Sequence, residues 1–261
     1  MSARNLAYLD LSALPTVGPA LLSARPTFVW APDGRRVLWA NAAGADFFGV
    51  AELDRLLERR FSDTFPSTLQ IARFARALPK GATRMERISF ATGGRLQSLA
   101  ARCTRIALGD DSSAVLIALD APRGPASSLS ERAERLADAL AAEDCLVAIL
   151  DASGEVVAAS GGLDALTAAE SAIEALVAGI DRGEARLLKR VLRIDDVRRP
   201  AGVARFEQDD RRFDLLVVGP AERVRLEPIA VLSAPAPFEE SASHRALPSF
   251  PTRRSSDPAA G

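Results

Sequence analysis

From Phe28 to Val50 the chain reads FVWAPDGRRVLWANAAGADFFGV, and its apolar positions change rhythm twice. An unbroken apolar triplet, Phe28-Val29-Trp30, runs into the turn chemistry of Pro32-Asp33-Gly34, and a second apolar run, Val37 to Ala40, follows at once. Asn41 then stands where a helix cap belongs, because its side-chain oxygen can accept from an amide that the first helical turn leaves orphaned. Ala42, Ala43, Ala45, Phe47 and Phe48 carry the helix to Gly49. The predicted order is strand, turn, strand, helix.

Downstream, Ala51 to Arg60 predicts a short amphipathic helix with Leu53, Leu56 and Leu57 on one side. Phe65 to Leu78 predicts a longer one, with Leu69, Phe74 and Leu78 near helical spacing, Pro66 in the first turn and Gly81 beyond the end. Three extended segments come next, Arg84 to Ala91, Arg95 to Leu108 and Ser113 to Asp120, separated by Thr92-Gly93-Gly94 and Gly109-Asp110-Asp111. Together these elements predict a five-stranded antiparallel sheet with helices on one face.

The opening pattern returns in CLVAILDASGEVVAASGGLDAL, from Cys145: an apolar strand, a turn at Asp151 to Gly154, a second strand over Glu155 to Ala159 and a small-residue break. A helix over Ala168 to Ile180 and strands at Ala185 to Ile194, Gly202 to Glu207, Arg212 to Val218 and Val224 to Leu232 complete a second domain. Arg186 to Arg193 fits helix and strand equally. The Pro/Gly/Ser run Pro122 to Ser128 reads as a linker, and Ser130 as the cap of a helix running to about Glu143. In that helix Leu129, Ala133, Leu136 and Leu140 follow heptad spacing. Two readings stand for it, a seam that pairs two chains and an amphipathic helix lying on its own domain.

The order two strands, helices, three strands, with WAN, AA and FFG in its opening segment, resembles the PAS sensory family over about Ala24 to Ala121. The implied fold class is α+β, with two PAS-like domains joined by a helix. The expected layout is an N-terminal segment at 1–23, domains at 24–121 and 144–232, a linker and signalling helix at 122–143, and a linker and tail at 233–261. In PAS folds a ligand, when there is one, lies between helices and sheet. Trp39, Phe47, Phe48, Phe65, Phe74 and Phe90 either line that space or fill it.

Composition narrows the chemistry. With 261 residues and 48% apolar content the chain can bury one or two cores. Its 33 basic and 34 acidic residues leave a formal charge of −1, so no global field draws nucleic acid or an anionic membrane. No segment reaches the roughly 20 apolar residues of a membrane helix, the N-terminus lacks the pattern of a secretory signal, and a cytoplasmic location is expected. The two cysteines, Cys103 and Cys145, fall one in each domain, read best as small buried hydrophobes and offer neither a disulfide framework nor a metal site. His244, the only histidine, sits in the C-terminal linker, which excludes a haem ligand within either domain, a histidine metal site and Ser-His-Asp or Cys-His catalysis. The Asn-Cys-Arg motif of flavin-binding PAS sensors is absent, and Gly93-Gly94 and Gly161-Gly162 lack the setting of a phosphate loop. No catalytic residue, metal, haem or flavin is expected.

The first segment further resembles alphaproteobacterial multi-PAS sensor histidine kinases of the cell-cycle type. That resemblance implies a dimeric sensory part that controls a downstream kinase, which would bind ATP and Mg, phosphorylate its own histidine and pass the phosphate to a response regulator. Two alternatives remain open: a non-catalytic PAS module for dimerisation or partner docking, and a sensor for another output enzyme such as a diguanylate cyclase. The stretch Ser249 to Asp257, SFPTRRSSD, resembles one frame of a sequencing adapter, with Pro258 departing from it. On that reading the native chain continues past about Leu247 into the kinase.

Overall fold

The apolar triplet and its continuation form β1 (Thr27–Trp30) and β2 (Val37–Ala40), which pair antiparallel around the Pro32-Asp33-Gly34 turn. Gly34 is required there on two counts. Its φ is +70°, and a Cβ would lie 2.4 Å from the Thr68 carbonyl oxygen. In the computed structural model the described residues are 3–92, 94–108, 112–120, 127–141, 145–160, 163–181, 185–194 and 197–221. They belong to one compact unit, Met1–Arg223. The expected strand at Val224 to Leu232, His244, the Ser249 to Asp257 stretch, the Gly109-Asp110-Asp111 turn and Gly161-Gly162 lie outside them.

Helices α2 (Ala42–Phe47), α3 (Leu53–Glu58) and α4 (Pro66–Ala77) follow, then strands β3 (Thr83–Thr92), β4 (Arg95–Ala107) and β5 (Ser113–Leu119). On α4 the buried stripe is Ile71, Phe74, Ala75 and Leu78, the i, i+3, i+4, i+7 set. Leu69, expected on that face, falls off the stripe and is exposed. The linking helix α5 (Leu129–Leu140) is capped two residues before the expected position: Ser128, not Ser130, accepts from the Glu131 amide while Glu131 reaches back to the Ser128 amide. This Ser-x-x-Glu capping box satisfies two orphan donors at once, an arrangement Ser130 cannot make.

The second half repeats the plan with β6 (Leu146–Asp151), β7 (Val156–Ser160), α6 (Leu163–Asp181), β8 (Leu187–Ile194), β9 (Val197–Gln208) and β10 (Arg211–Val218). The ambiguous Arg186 to Arg193 run resolves as strand because it pairs residue for residue with β9. Strand β9 begins five residues earlier than the expected Gly202, because Val197 to Ala201 extend that pairing. Asp209 and Asp210, both at positive φ, make the two-residue turn into β10. The two sheets have the same order, β2-β1-β5-β4-β3 and β7-β6-β10-β9-β8, all antiparallel. The fold is α+β with two five-stranded antiparallel sheets, as the hydrophobic pattern predicts.

One element was not anticipated: α1 (Ala3–Ser12), followed by a 3-10 turn at Gly18–Ala20, lies on β9. A continuous apolar core joins Tyr8, Leu9, Leu21 and Leu22 of this segment to the first sheet, to α5 and to Phe206, Phe213, Leu215 and Val217 of the second sheet. A separate aliphatic core lies between α6 and the opposite face of the second sheet.

Candidate functional site

In β1 side chains alternate, so Phe28 and Trp30 share the face that the helices cover and Val29 points the other way. Phe47 and Phe48 descend on that face from the end of α2, Phe61 from the segment after α3 and Phe90 from β3. The six rings interlock with centroids 4.7 to 6.5 Å apart. Such offset and edge-on contacts add to what burial alone supplies. The Arg59 guanidinium lies 5.0 Å from the Phe61 ring centre and closes the solvent side. Among the described residues of the first sheet and its helices, three buried side-chain atoms have no hydrogen-bond partner, Trp30 Nε1, Thr68 Oγ1 and Thr92 Oγ1. A buried unpaired donor costs about 1–3 kcal/mol, so the Trp30 N–H marks the point where a small acceptor or a water gains most.

Of the six aromatic candidates, Phe47, Phe48 and Phe90 are in this cluster. Phe74 is buried on α4 in the same core. Trp39 is not in the cluster: it stands opposite Val29, so the period of two sends its ring to the other face of the sheet, where it stacks on Tyr8 at 5.7 Å. Phe65 is 38% exposed at the start of α4, ahead of the first turn that faces the core. The sequence reading left out Phe28, Trp30 and Phe61, and the alternation Phe28-Val29-Trp30 was the signal that could have placed the first two.

Asn41 holds the junction between sheet and helix. Its Oδ1 accepts from the Gly44 amide at 2.8 Å, capping α2, and from the Thr27 amide at 3.1 Å. Its Nδ2 donates to the carbonyls of Ala20, Ser23 and Arg25. One fully buried side chain therefore fixes α2, β1 and the N-terminal segment together.

The heptad positions of α5 do not form an open seam. Ala133, Leu136 and Leu140 are buried within the chain, and Leu129 packs partly buried against the same core. The helix lies on β7 and β6 and touches α2 and α3. The apolar stripe packs on the nearer surface of its own chain, one of the two arrangements that the heptad spacing allows. Arg135 pairs with Asp46 of α2, and Arg132 Nε donates to the Leu22 carbonyl at 2.5 Å.

Cys103 and Cys145 are both buried and outside any disulfide. Burial, with a smaller contribution from nearby Glu86, pushes the Cys103 thiol up to about 12, which leaves it protonated and unreactive at neutral pH. Among the described residues no group of three His, Cys, Asp or Glu side chains is placed to hold a metal. An open recess of about 680 Å³ beside α4 carries Asp33, Arg76, Arg105 and Ser113.

The sequence model of the PAS fold family matches residues 23–121, the first sheet with its helices. Those residues are a PAS domain. The second sheet, with the same strand order and its helix in the same place, is PAS-like. Over 245 residues, 92% of it, the chain is 27% identical to the cell-division control histidine kinase PdhS of Brucella canis and equally to that of Brucella abortus. It is also 27% identical to PdhS of Brucella anthropi over 237 residues. The chain spans 21% of the length of these curated relatives. Among solved structures, the PAS domain of an HTR-like protein from Haloarcula marismortui is 16% identical, covering 40% of this chain and 93% of that one at a TM-score of 0.32.

Proposed function

We propose that this chain is the signal-input part of a sensor histidine kinase, with sensory units at 24–121 and 144–232 that bias a kinase domain carried elsewhere in the protein. The observation that supports it most is the similarity to cell-division control histidine kinases along nearly the whole chain, combined with a PAS domain at 23–121. The aromatic cluster, with its unpartnered Trp30 N–H, is the place where a small ligand bearing a hydrogen-bond acceptor would be read. Phe47 and Phe48 would pass its presence to α2 and Asn41.

In this reading the assembled kinase is a homodimer in the cytoplasm, binds ATP and Mg through its kinase domain and hands phosphate to a response regulator. Two buried cysteines outside any disulfide suit a reducing compartment. Among the described residues no helix is long and apolar enough to cross a membrane. The α5 stripe does not make the dimer, since its leucines are already covered. The test is to express the natural gene that encodes these residues and incubate the product with radiolabelled ATP. Acid-labile, alkali-stable label on the protein, changed in rate by Trp30→Phe, is the expected result. A gene product that takes no label overturns the kinase reading and leaves a docking module.

A further inference from the structure

The outer face of the second sheet is covered by the beginning of the chain, and the same short segment is bonded to the first sheet. On the first-sheet side Tyr8 Oη donates to the Ala40 carbonyl at 2.9 Å, and Trp39 Nε1 donates to Ser12 Oγ at 2.9 Å. Ser12 Oγ in turn donates to the Tyr8 carbonyl. On the second-sheet side Leu9 seats against Gly202, where a Cβ would lie 2.7 Å from its Cδ1, and Gly18 seats against Phe206, where a Cβ would lie 3.0 Å from that of the phenylalanine. Asp10 pairs with Lys189 of β8 at 2.5 Å.

We propose that α1 and the 3-10 turn act as a strap that couples the two sheets, so that a change at β2 and the start of α2 is transmitted to β9. The route is continuous. Phe47 and Phe48 close the aromatic cluster from the end of α2, and Asn41 caps the start of that helix while holding the carbonyls of Ala20, Ser23 and Arg25. Ala40, the residue before it, accepts the Tyr8 hydroxyl. The strap docks as a unit because Tyr8, Ser12 and Trp39 are all buried, and lifting it strands their polar atoms together. Leu9 and Gly18 meet β9 where there is no room for an added methyl group, so a strap displaced at one sheet cannot keep its seat on the other. The coupling holds whatever output domain the full protein carries.

Hydrogen exchange of the whole chain, read by mass spectrometry, tests this. Ser12→Ala removes a bond on the first-sheet side only. It is expected to speed exchange on the order of tenfold in β9 as well as in β2, with β3 unchanged. Gly202→Leu evicts Leu9 on the second-sheet side and is expected to speed exchange in β2 and α2. If Gly202→Leu unfolds the second sheet outright, Asp10→Asn, which adds no volume, takes its place with the same expected direction. Exchange that rises only in the sheet carrying the altered contact, in Ser12→Ala and in the second-sheet variant alike, overturns the proposal.

Discussion

The two sheets share one strand order and differ in what covers them. The inner face of the first is filled by interlocking rings, whereas the corresponding face of the second meets α6 through aliphatic side chains such as Leu146, Val203, Leu216, Ile173 and Leu176. The outer faces differ more. In the second sheet α1 and α5 bury the part of that face formed by β6, β9 and β10, with Val191 of β8 left 48% exposed, while in the first the β3–β4 region stays open, with Met85 50% and Leu96 63% exposed. The same topology therefore supports two roles. The first sheet carries the aromatic cluster with the unpartnered Trp30 N–H, and the second carries α1 and the linking helix on its outer face.

Substitutions that exchange these roles would break the comparison. Phe90→Ala removes the ring that meets Phe28, Trp30, Phe47 and Phe48 and is expected to cost about 3–5 kcal/mol in denaturant unfolding. Leu96→Ala, on the open face of the neighbouring strand, is expected to stay within about 0.5 kcal/mol. Equal losses would mean that the outer face is covered after all.

In the second sheet the cross-strand pair of Arg205 with Asp214, two bonds of 2.8 Å, is buried on the α6 side. Arg205→Met strands the carboxylate and should cost about 3–5 kcal/mol, most of which Arg205→Met with Asp214→Leu should restore. Failure of the double variant to recover stability would show that the pair does more than satisfy its own burial.

Leu136→Ala is expected to cost about 2–5 kcal/mol while leaving the oligomeric state by light scattering unchanged, since Leu136 faces the chain's own core. A dimer that dissociates on this substitution would reinstate the seam.

The smallest effect lies at the start of α5, where Ser128→Ala should cost about 1 kcal/mol. Hydrogen bonds from the Ser128 backbone and side chain hold the Glu131 carboxyl below its usual range. A depressed carboxyl contributes stability that is present above the ordinary glutamate value and is lost as pH falls through the lowered one. The wild-type advantage over Ser128→Ala in thermal melts should therefore narrow in acid, and an advantage that persists at full size there would count against the capping box.

The local sequence was enough to set the first sheet, most strands of the second, the turn at Pro32-Asp33-Gly34, the Asn41 cap and the apolar stripes of α3 and α5, because period, turn residues and caps act over a few neighbours, whereas β8 was settled by its pairing with β9. It also contained the Ser128 capping box, passed over for Ser130, and the alternation that puts Phe28 with Trp30. Three matters were decided only by tertiary structure. Which surface covers the α5 stripe depends on the neighbours within reach, and a heptad spacing is the same for a partner chain and for the chain's own sheet. Trp39 was sent to the opposite face by its register against Val29, a relation between strands that no single segment contains. The role of α1 depends on glycines at 18 and 202 that lie far apart in sequence and make room for close approach only once the second sheet has formed.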